Sequence, residues 1–429
     1  MNDKFFAFRE RLRESLFFQN MAIVAGGNVT AKLIGILATP VITRLYTPEN
    51  YGIYTVFISI IGITGSLSTL RYSVTIPLAK DEGTADNLLK LCFLVTLGLS
   101  LLWLSIVIFF GEWLSDYYHT GNLQHFLWLI PVVFFCQGIY EALNNWAVRN
   151  KGFKLITRTK ISQSVSSSVI KIGFGLLKIV PLGLFLGHIA QEVAGVGSLF
   201  TKLRKVRPNI FKGISFPEIK RAAIRYKDFP LIQSWSQILL ALGAQLPVLL
   251  LGKFYGTQVV GVFGLAMSMI SLPMDLIGQS VAQVYYAEIS KFGKGNSTKI
   301  YNLSVSLIKK LFIVGLFPVG FLVACGPWVF KLIFGQEWLD AGLYASILSI
   351  MILTRFISSP IANVFNVFEE QKTQLILNIA RVILVVLVFW GSSRLFFSPV
   401  YTIGLYSSCM TLYYGIMTII VLRVIRKNQ

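Results

Sequence analysis

Along the chain, apolar residues come in long blocks, each closed by charges or turn-forming residues. The blocks fall at about 18–45, 51–78, 88–110, 123–148, 156–178, 182–201, 228–252, 258–287, 303–325, 341–368, 372–393 and 399–422. Each is near or above the ~20 residues a helix needs to cross hydrocarbon, so the pattern predicts twelve transmembrane helices. Inside several blocks the polar residues recur at steps of three and four, which places them on one helical face. The first block carries Asn28, Lys32, Gly35, Thr39 and Thr43, the second Thr64, Ser68, Arg71 and Thr75, and the fifth Ser164, Ser168, Lys171, Gly175 and Lys178. The eighth carries Ser268, Ser271, Asp275, Gln279 and Gln283, and the tenth Arg355, Ser359, Asn363 and Asn366. A polar stripe on an otherwise apolar helix faces protein or water rather than lipid. Ahead of the first block, residues 1–17 set Phe5, Phe8, Leu12 and Leu16 apart from Arg9 and Arg13, the pattern of a helix lying in the interface or of a frayed tail.

Composition agrees with the pattern. Of 429 residues, 55% are hydrophobic and only 14% are charged, and the mean hydropathy is +0.67. A soluble domain carries about 25% charged residues, so a soluble globular chain is excluded. The net charge of +20 is read as basic cytoplasmic loops beside anionic lipid rather than as nucleic-acid binding. With the N-terminus inside, 29 Lys and Arg fall in cytoplasmic segments, the largest group from Lys202 to Lys227. Five fall outside, namely Arg44, Lys178, Lys253, Lys331 and Arg394. This bias places both termini in the cytoplasm. The segment from Arg44 aligns with the segment from Lys253 at an offset of 209, pairing Tyr46 with Tyr255, Gly52 with Gly261, Tyr54 with Phe263 and Ser59 with Ser268. An even number of spans per repeat keeps both halves in one orientation. The expected organisation is an all-α integral membrane protein: an N-terminal segment 1–17, a six-helix bundle 18–201, a basic cytoplasmic linker 202–227 and a second six-helix bundle 228–429, the two bundles forming a parallel repeat around a central cavity.

An ionisable side chain at the bilayer centre costs at least ~2.5 kcal/mol on insertion scales, so each one calls for a function or a partner. Lys32, Arg71, Lys171 and Arg355 are the candidate substrate-binding cations, joined by Arg381, which lies about nine residues from the cytoplasmic end of its span and is also placed to snorkel. Glu141 and Asp275 are candidates either for ion coupling or for pairing with one of these cations, and Glu192 lies nearer the boundary. A cationic, hydroxyl-rich interior argues for an anionic passenger. Sugar phosphates and lipid-linked diphosphates have that chemistry. The four cysteines all lie in apolar blocks without metal-ligand spacing, and of the three histidines only His188, in the sixth block, is inside a span. No nucleotide-binding or hydrolase motif is present, so neither a cofactor nor an enzyme is expected. A membrane-embedded polymerase, ligase or acyltransferase is the rival reading.

The runs Asn28–Gly35 (NVTAKLIG), Thr39–Gly52 (TPVITRLYTPENYG) and Leu70–Lys80 (LRYSVTIPLAK) resemble the polysaccharide-export branch of the multidrug/oligosaccharidyl-lipid/polysaccharide (MOP) exporter superfamily, the Wzx-type O-antigen flippases. The resemblance continues through Trp146–Lys154, Tyr226–Pro230 and Gln283–Ser290. It implies two six-helix bundles around a cavity that moves undecaprenyl-diphosphate-linked oligosaccharide from the cytoplasmic to the outer leaflet of a bacterial inner membrane. Its implied partners are that lipid, the bilayer, other polysaccharide-assembly membrane proteins, and a proton or sodium ion if transport is coupled; an exporter of another anionic lipid-linked precursor fits as well. By position, the family's basic cavity matches Lys32 and Arg71. Many relatives carry an acidic residue just after the Arg-Tyr pair of span 2, where this chain has Ser73 and Val74.

Overall fold

Inside hydrocarbon every backbone amide and carbonyl needs a protein partner, and a helix supplies one from within itself. All regular structure among the described residues of the computed structural model is helical. The backbone is described for residues 2–117, 124–210 and 215–428, and the side chains for 23–113, 126–210, 215–293 and 295–428. The helices are α1 (Asn2–Leu45), α2 (Pro48–Thr64), α3 (Glu82–Tyr117), α4 (Leu129–Arg149), α5 (Phe153–Leu176), α6 (Leu182–Val206), the short α7 (Phe216–Arg225), α8 (Ser234–Phe292), α9 (Ser297–Phe334), α10 (Leu339–Ile361), α11 (Gln371–Arg394) and α12 (Pro399–Lys427). Nine stretches of the described chain are long and apolar enough to cross a membrane. One of them contains α8, which Gly256 divides by adopting φ 83°, so it supplies two of the expected spans. The helices α4 and α5 complete the twelve; they are less apolar because Gln137, Glu141, Asn144 and Asn145 interrupt α4, and basic residues and hydroxyls run through α5. The chain is a multi-pass membrane protein. The expected interfacial role of residues 1–17 concerns side chains outside the described residues, as does the placement of His119 and His125.

The second apolar block departs from expectation. Instead of one helix across 51–78, α2 stops at Thr64, and the chain continues through a turn of 3₁₀-helix (Gly65–Leu67), left-handed Leu70 and Arg71 (φ 46° and 63°), and a second 3₁₀ stretch (Tyr72–Leu78). The cause lies in the composition of the segment. Hydroxyls at 66, 68, 69, 73 and 75 offer the backbone local alternatives to helical bonds, and Pro77 disfavours the α conformation before it. Thr75 Oγ1 donates to the Tyr72 carbonyl at 2.7 Å, and Thr69 Oγ1 donates to Ser73 Oγ at 2.9 Å. The four polar residues of this block are therefore not one helical stripe.

Such a break survives at membrane depth only when neighbours satisfy it. Thr96 of α3 donates to the Ser68 carbonyl at 2.9 Å. Arg149, at the end of α4, donates through Nη1 to the carbonyls of Ala79 at 2.7 Å and Ile76 at 3.3 Å. The same guanidinium pairs with Glu82 at 3.1 Å, and Arg207 closes on the other oxygen of that carboxylate. Asp81 caps α3, accepting from the Thr84 amide at 2.7 Å and its hydroxyl at 2.8 Å, which holds the Asp81 carboxyl below the usual carboxylate range.

The chain forms two compact units. The first comprises residues 1–45, 61–114 and 122–238, and the second 46–60, 115–121 and 239–429. Within the first, Leu88, Leu89, Cys92, Leu143, Trp146, Leu199 and Leu203 form a core beside Tyr72 and Ile76. Within the second, Tyr285, Ile289, Ile300, Ile361, Phe365, Val421 and Ile425 form another. The second unit also contains the crossing of α2 with the latter half of α8. A Cβ at Gly52 would fall on the Thr257 carbonyl, and a Cβ at Gly261 would fall on the Pro48 carbonyl. The two contacts interchange under the offset of 209 that pairs Gly52 with Gly261 and Pro48 with Thr257, so the alignment of the two segments reappears as a locally two-fold crossing. Backbone meets backbone there, and no side-chain motion makes room. Gly52→Ala and Gly261→Ala should each destabilise the protein by about 1–3 kcal/mol or more, seen as a lowered melting temperature in detergent, whereas Gly98→Ala, with open space at its Cβ, should not.

Candidate functional site

In the first unit, Lys32 sits half-buried on the polar side of α1. The opposite side is a column of exposed Val29, Leu33, Leu37 and Val41. The polar side packs on α5, where Thr157 Oγ1 donates to the Ile23 carbonyl at 3.0 Å and Ser164 Oγ to the Ala31 carbonyl at 2.6 Å. Gly27 faces Thr157 and Gly35 faces Ser164; small residues at this seam bring the backbones close enough for such bonds. Among the described residues Lys32 has no hydrogen bond or ion pair, since none of the bonded groups includes it. On α5, Lys171 lays its stem over Gly187 of α6.

Arg71 lies at the centre of the broken block, half-buried, with its Nε enclosed and unbonded. Glu141 of α4 does not pair with it. Its carboxylate accepts from Ser73 Oγ at 2.8 Å and Ser68 Oγ at 3.3 Å. Ser73, which follows the Arg71–Tyr72 pair, is thus bonded to an acid from a neighbouring helix. Glu192 of α6, the acid the sequence set nearer the boundary, is 8% exposed with an unbonded Oε2. Around it stand Tyr140, whose hydroxyl is also unbonded, and Lys160, whose ammonium lies 5.2 Å from the Tyr140 ring centre. The signal available in the sequence was one acid and one lysine on adjacent spans, with nothing to give their register.

In the second unit two of the expected stripes face each other. Asp275, Gly278, Gln279 and Ala282 of α8 and Ile352, Arg355, Phe356 and Ser359 of α10 line a cavity of about 190 Å³. Across it Arg355 Nη2 donates to Asp275 Oδ1 at 3.2 Å. Both side chains remain more than a third exposed, at 37% and 38%, so the pair is open to solvent. Arg381 of α11 does not snorkel toward the interface: its Nη2 donates to the Gly243 carbonyl of α8 at 2.7 Å. The candidate cations therefore stand in different states: Arg355 is paired with an acid, Arg381 is held by a backbone carbonyl, and Lys32 and Arg71 have no acid partner among the described residues.

The twelve-helix, two-lobe fold is that of MOP-superfamily transporters. A lipid II flippase, MurJ, in an inward closed conformation, superposes with a TM-score of 0.71 over 94% of this chain and 89% of that one, at 14% identity. An inward-facing multidrug resistance MATE-family transporter superposes with a TM-score of 0.69 over 92% and 93%, at 16% identity. Residues 41–343 match the family described as polysaccharide biosynthesis protein, and the chain belongs to that family. Among curated proteins it is 21% identical over 254 residues to the teichuronic acid biosynthesis protein TuaB of Bacillus subtilis strain 168. That match covers 58% of this chain and spans about half the length of TuaB.

If Arg355 and Asp275 act as one group, Arg355→Met and Asp275→Asn should be non-additive, with a coupling of about 0.5–3 kcal/mol in a double-mutant cycle on unfolding in detergent. Strict additivity would mean that the pair does not form.

Proposed function

We propose that this protein is a flippase of the MOP superfamily that moves an undecaprenyl-diphosphate-linked oligosaccharide, an O-antigen or related repeat unit, from the cytoplasmic to the outer leaflet of a bacterial inner membrane. The glycan and diphosphate travel through the protein by alternating access while the polyprenyl tail stays in lipid. The observation that carries this reading is the presence of two cations in the membrane, Lys32 and Arg71, without an acid partner among the described residues. A cation left unpaired there is costly unless its use is to receive an anion. Arg71 suits a diphosphate because its planar fork presents parallel donors to phosphate oxygens, and the free Nε is one of them. Lys171 and Arg355 add charge in the first and second unit, and Arg355 becomes available when Asp275 releases it.

A diphosphate carries its own driving force. With the outside positive, outward movement of about two negative charges is favoured by ~2.3 kcal/mol per charge per 100 mV. Coupling to a proton or sodium ion is the alternative, and Glu141 and Asp275 are its candidate groups, one bonded to two serines and the other to Arg355. In this reading the protein is a transporter rather than an enzyme, has both termini and the segment 202–227 in the cytoplasm, and works beside other polysaccharide-assembly membrane proteins.

Alanine at Lys32, Arg71, Lys171 or Arg355 should reduce surface glycan with the membrane level of the protein preserved. Arg71→Lys should retain part of the activity and Arg71→Gln almost none. Full activity in all four alanine variants would remove the cationic path. Reporter fusions at both termini and at residue 212 should read cytoplasmic, and an outward result at any of them would overturn the topology.

A further inference from the structure

The hydrogen bond of Arg381 has an unusual acceptor. In an α-helix the carbonyl of residue 243 is bonded by the amide of residue 247. Residue 247 is a proline inside α8, so that amide does not exist, and the ring pushes the carbonyl four residues back out of line. The carbonyl that Pro247 leaves without a donor is the one Arg381 reaches from α11, at 2.7 Å. Residue 243 is a glycine, and a Cβ there would stand 3.1 Å from Arg381 Nε and 3.2 Å from Cζ. A side chain there would crowd the guanidinium, which would have to shift by a few tenths of an ångström. Arg381 Nε, buried, has no other partner.

The other prolines in the long helices provide a contrast. Pro40, Pro273, Pro318, Pro327 and Pro360 free the carbonyls of Ile36, Met269, Val314, Val323 and Phe356. Among the described residues none of those five receives a side-chain hydrogen bond. The arrangement at Pro247 thus combines a proline, a glycine one turn before it and a guanidinium from another helix in one register.

We propose that Arg381 is a positioning residue, a latch on a hinge at Pro247, and not one of the groups that hold the passenger. With the guanidinium on the Gly243 carbonyl, the proline break is closed and the first half of α8 is tied to α11. When the guanidinium leaves, the carbonyl is unpaired, and the helix bends or admits water at that point, because a proline break in a membrane helix is where a kink forms. The latch accounts for a mid-span arginine with no acid partner among the described residues. It stands on backbone geometry and goes beyond the flippase reading, which would otherwise count Arg381 among its binding cations.

The test is a cycle between the two positions in the purified full-length protein, read by hydrogen exchange of the peptide covering residues 240–252. Arg381→Met should raise exchange there roughly tenfold or more, the scale of one lost hydrogen bond from a charged donor. Arg381→Lys, which still donates, should raise it less. Pro247→Ala restores the amide that bonds the carbonyl, so Arg381→Met on that background should change exchange by less than about twofold. An equal increase on both backgrounds, or none on the proline background, would overturn the latch. Exchange does not depend on any passenger. A protein that fails to flip lipid-linked glycan but shows this cycle therefore loses the proposed function and keeps the latch. Glycan export gives the second reading: if Arg381 contacted the passenger, Arg381→Met would cost the same factor with proline or alanine at 247.

Discussion

The structure depends on one constraint, that a backbone carbonyl or amide released from a helix inside hydrocarbon must be bonded by the protein itself. Most of the chain meets it by staying helical. Where it does not, a side chain from another element completes the bond. The segment after Thr64 leaves the helix, and Thr96 and Arg149 take up its carbonyls. The break at Pro247 frees one carbonyl, and Arg381 takes it. Both arginines are drawn away from what their charge alone suggests: Arg149 is a clamp at the membrane boundary and Arg381 reaches across to another helix.

This sorting of cations gives the site its meaning. An arginine bonded to carbonyls is already coordinated, and one paired with an acid, as Arg355 is with Asp275, is neutralised until the pair opens. The remaining cations differ. Lys32 rests on the polar side of a helix whose opposite side is aliphatic, and Arg71, itself left-handed, lies in a segment whose serines bond the nearby acid of α4, Glu141. The break in the second block has a use here, since a straight helix would carry Arg71 on a fixed face, whereas the turn sets it by the fold around it.

Much of this was legible in the sequence. The twelve blocks, the stripe on α1, and the facing stripes of α8 and α10 follow from periodicity, because a regular helix converts spacing into direction. The offset of 209 was visible as paired glycines, and the crossing explains why glycine is needed at both. Legibility failed where the backbone stops being regular. Thr64, Ser68, Arg71 and Thr75 keep helical spacing in a segment that is not a helix, so the spacing carried no direction. Partners across helices were equally hidden: Glu141 was open to pairing with Arg71, and only the register of α4 against residues 68–73 assigns its oxygens to serines. For Arg381 the clue was present, a proline at 247 and a glycine at 243, but its reading needs to know which helix lies opposite.

The central claim is that unpaired cations in the membrane recognise a lipid-linked diphosphate. It is tested most directly by translocation in proteoliposomes of two lipids that share a polyprenyl tail and an oligosaccharide, one joined through a diphosphate and the other through a neutral linker. The account predicts rapid exposure of the diphosphate-linked glycan to an external lectin, little for the neutral one, and loss of that difference when Lys32 and Arg71 are both replaced by neutral residues. Equal rates for the two lipids in the unaltered protein would contradict it.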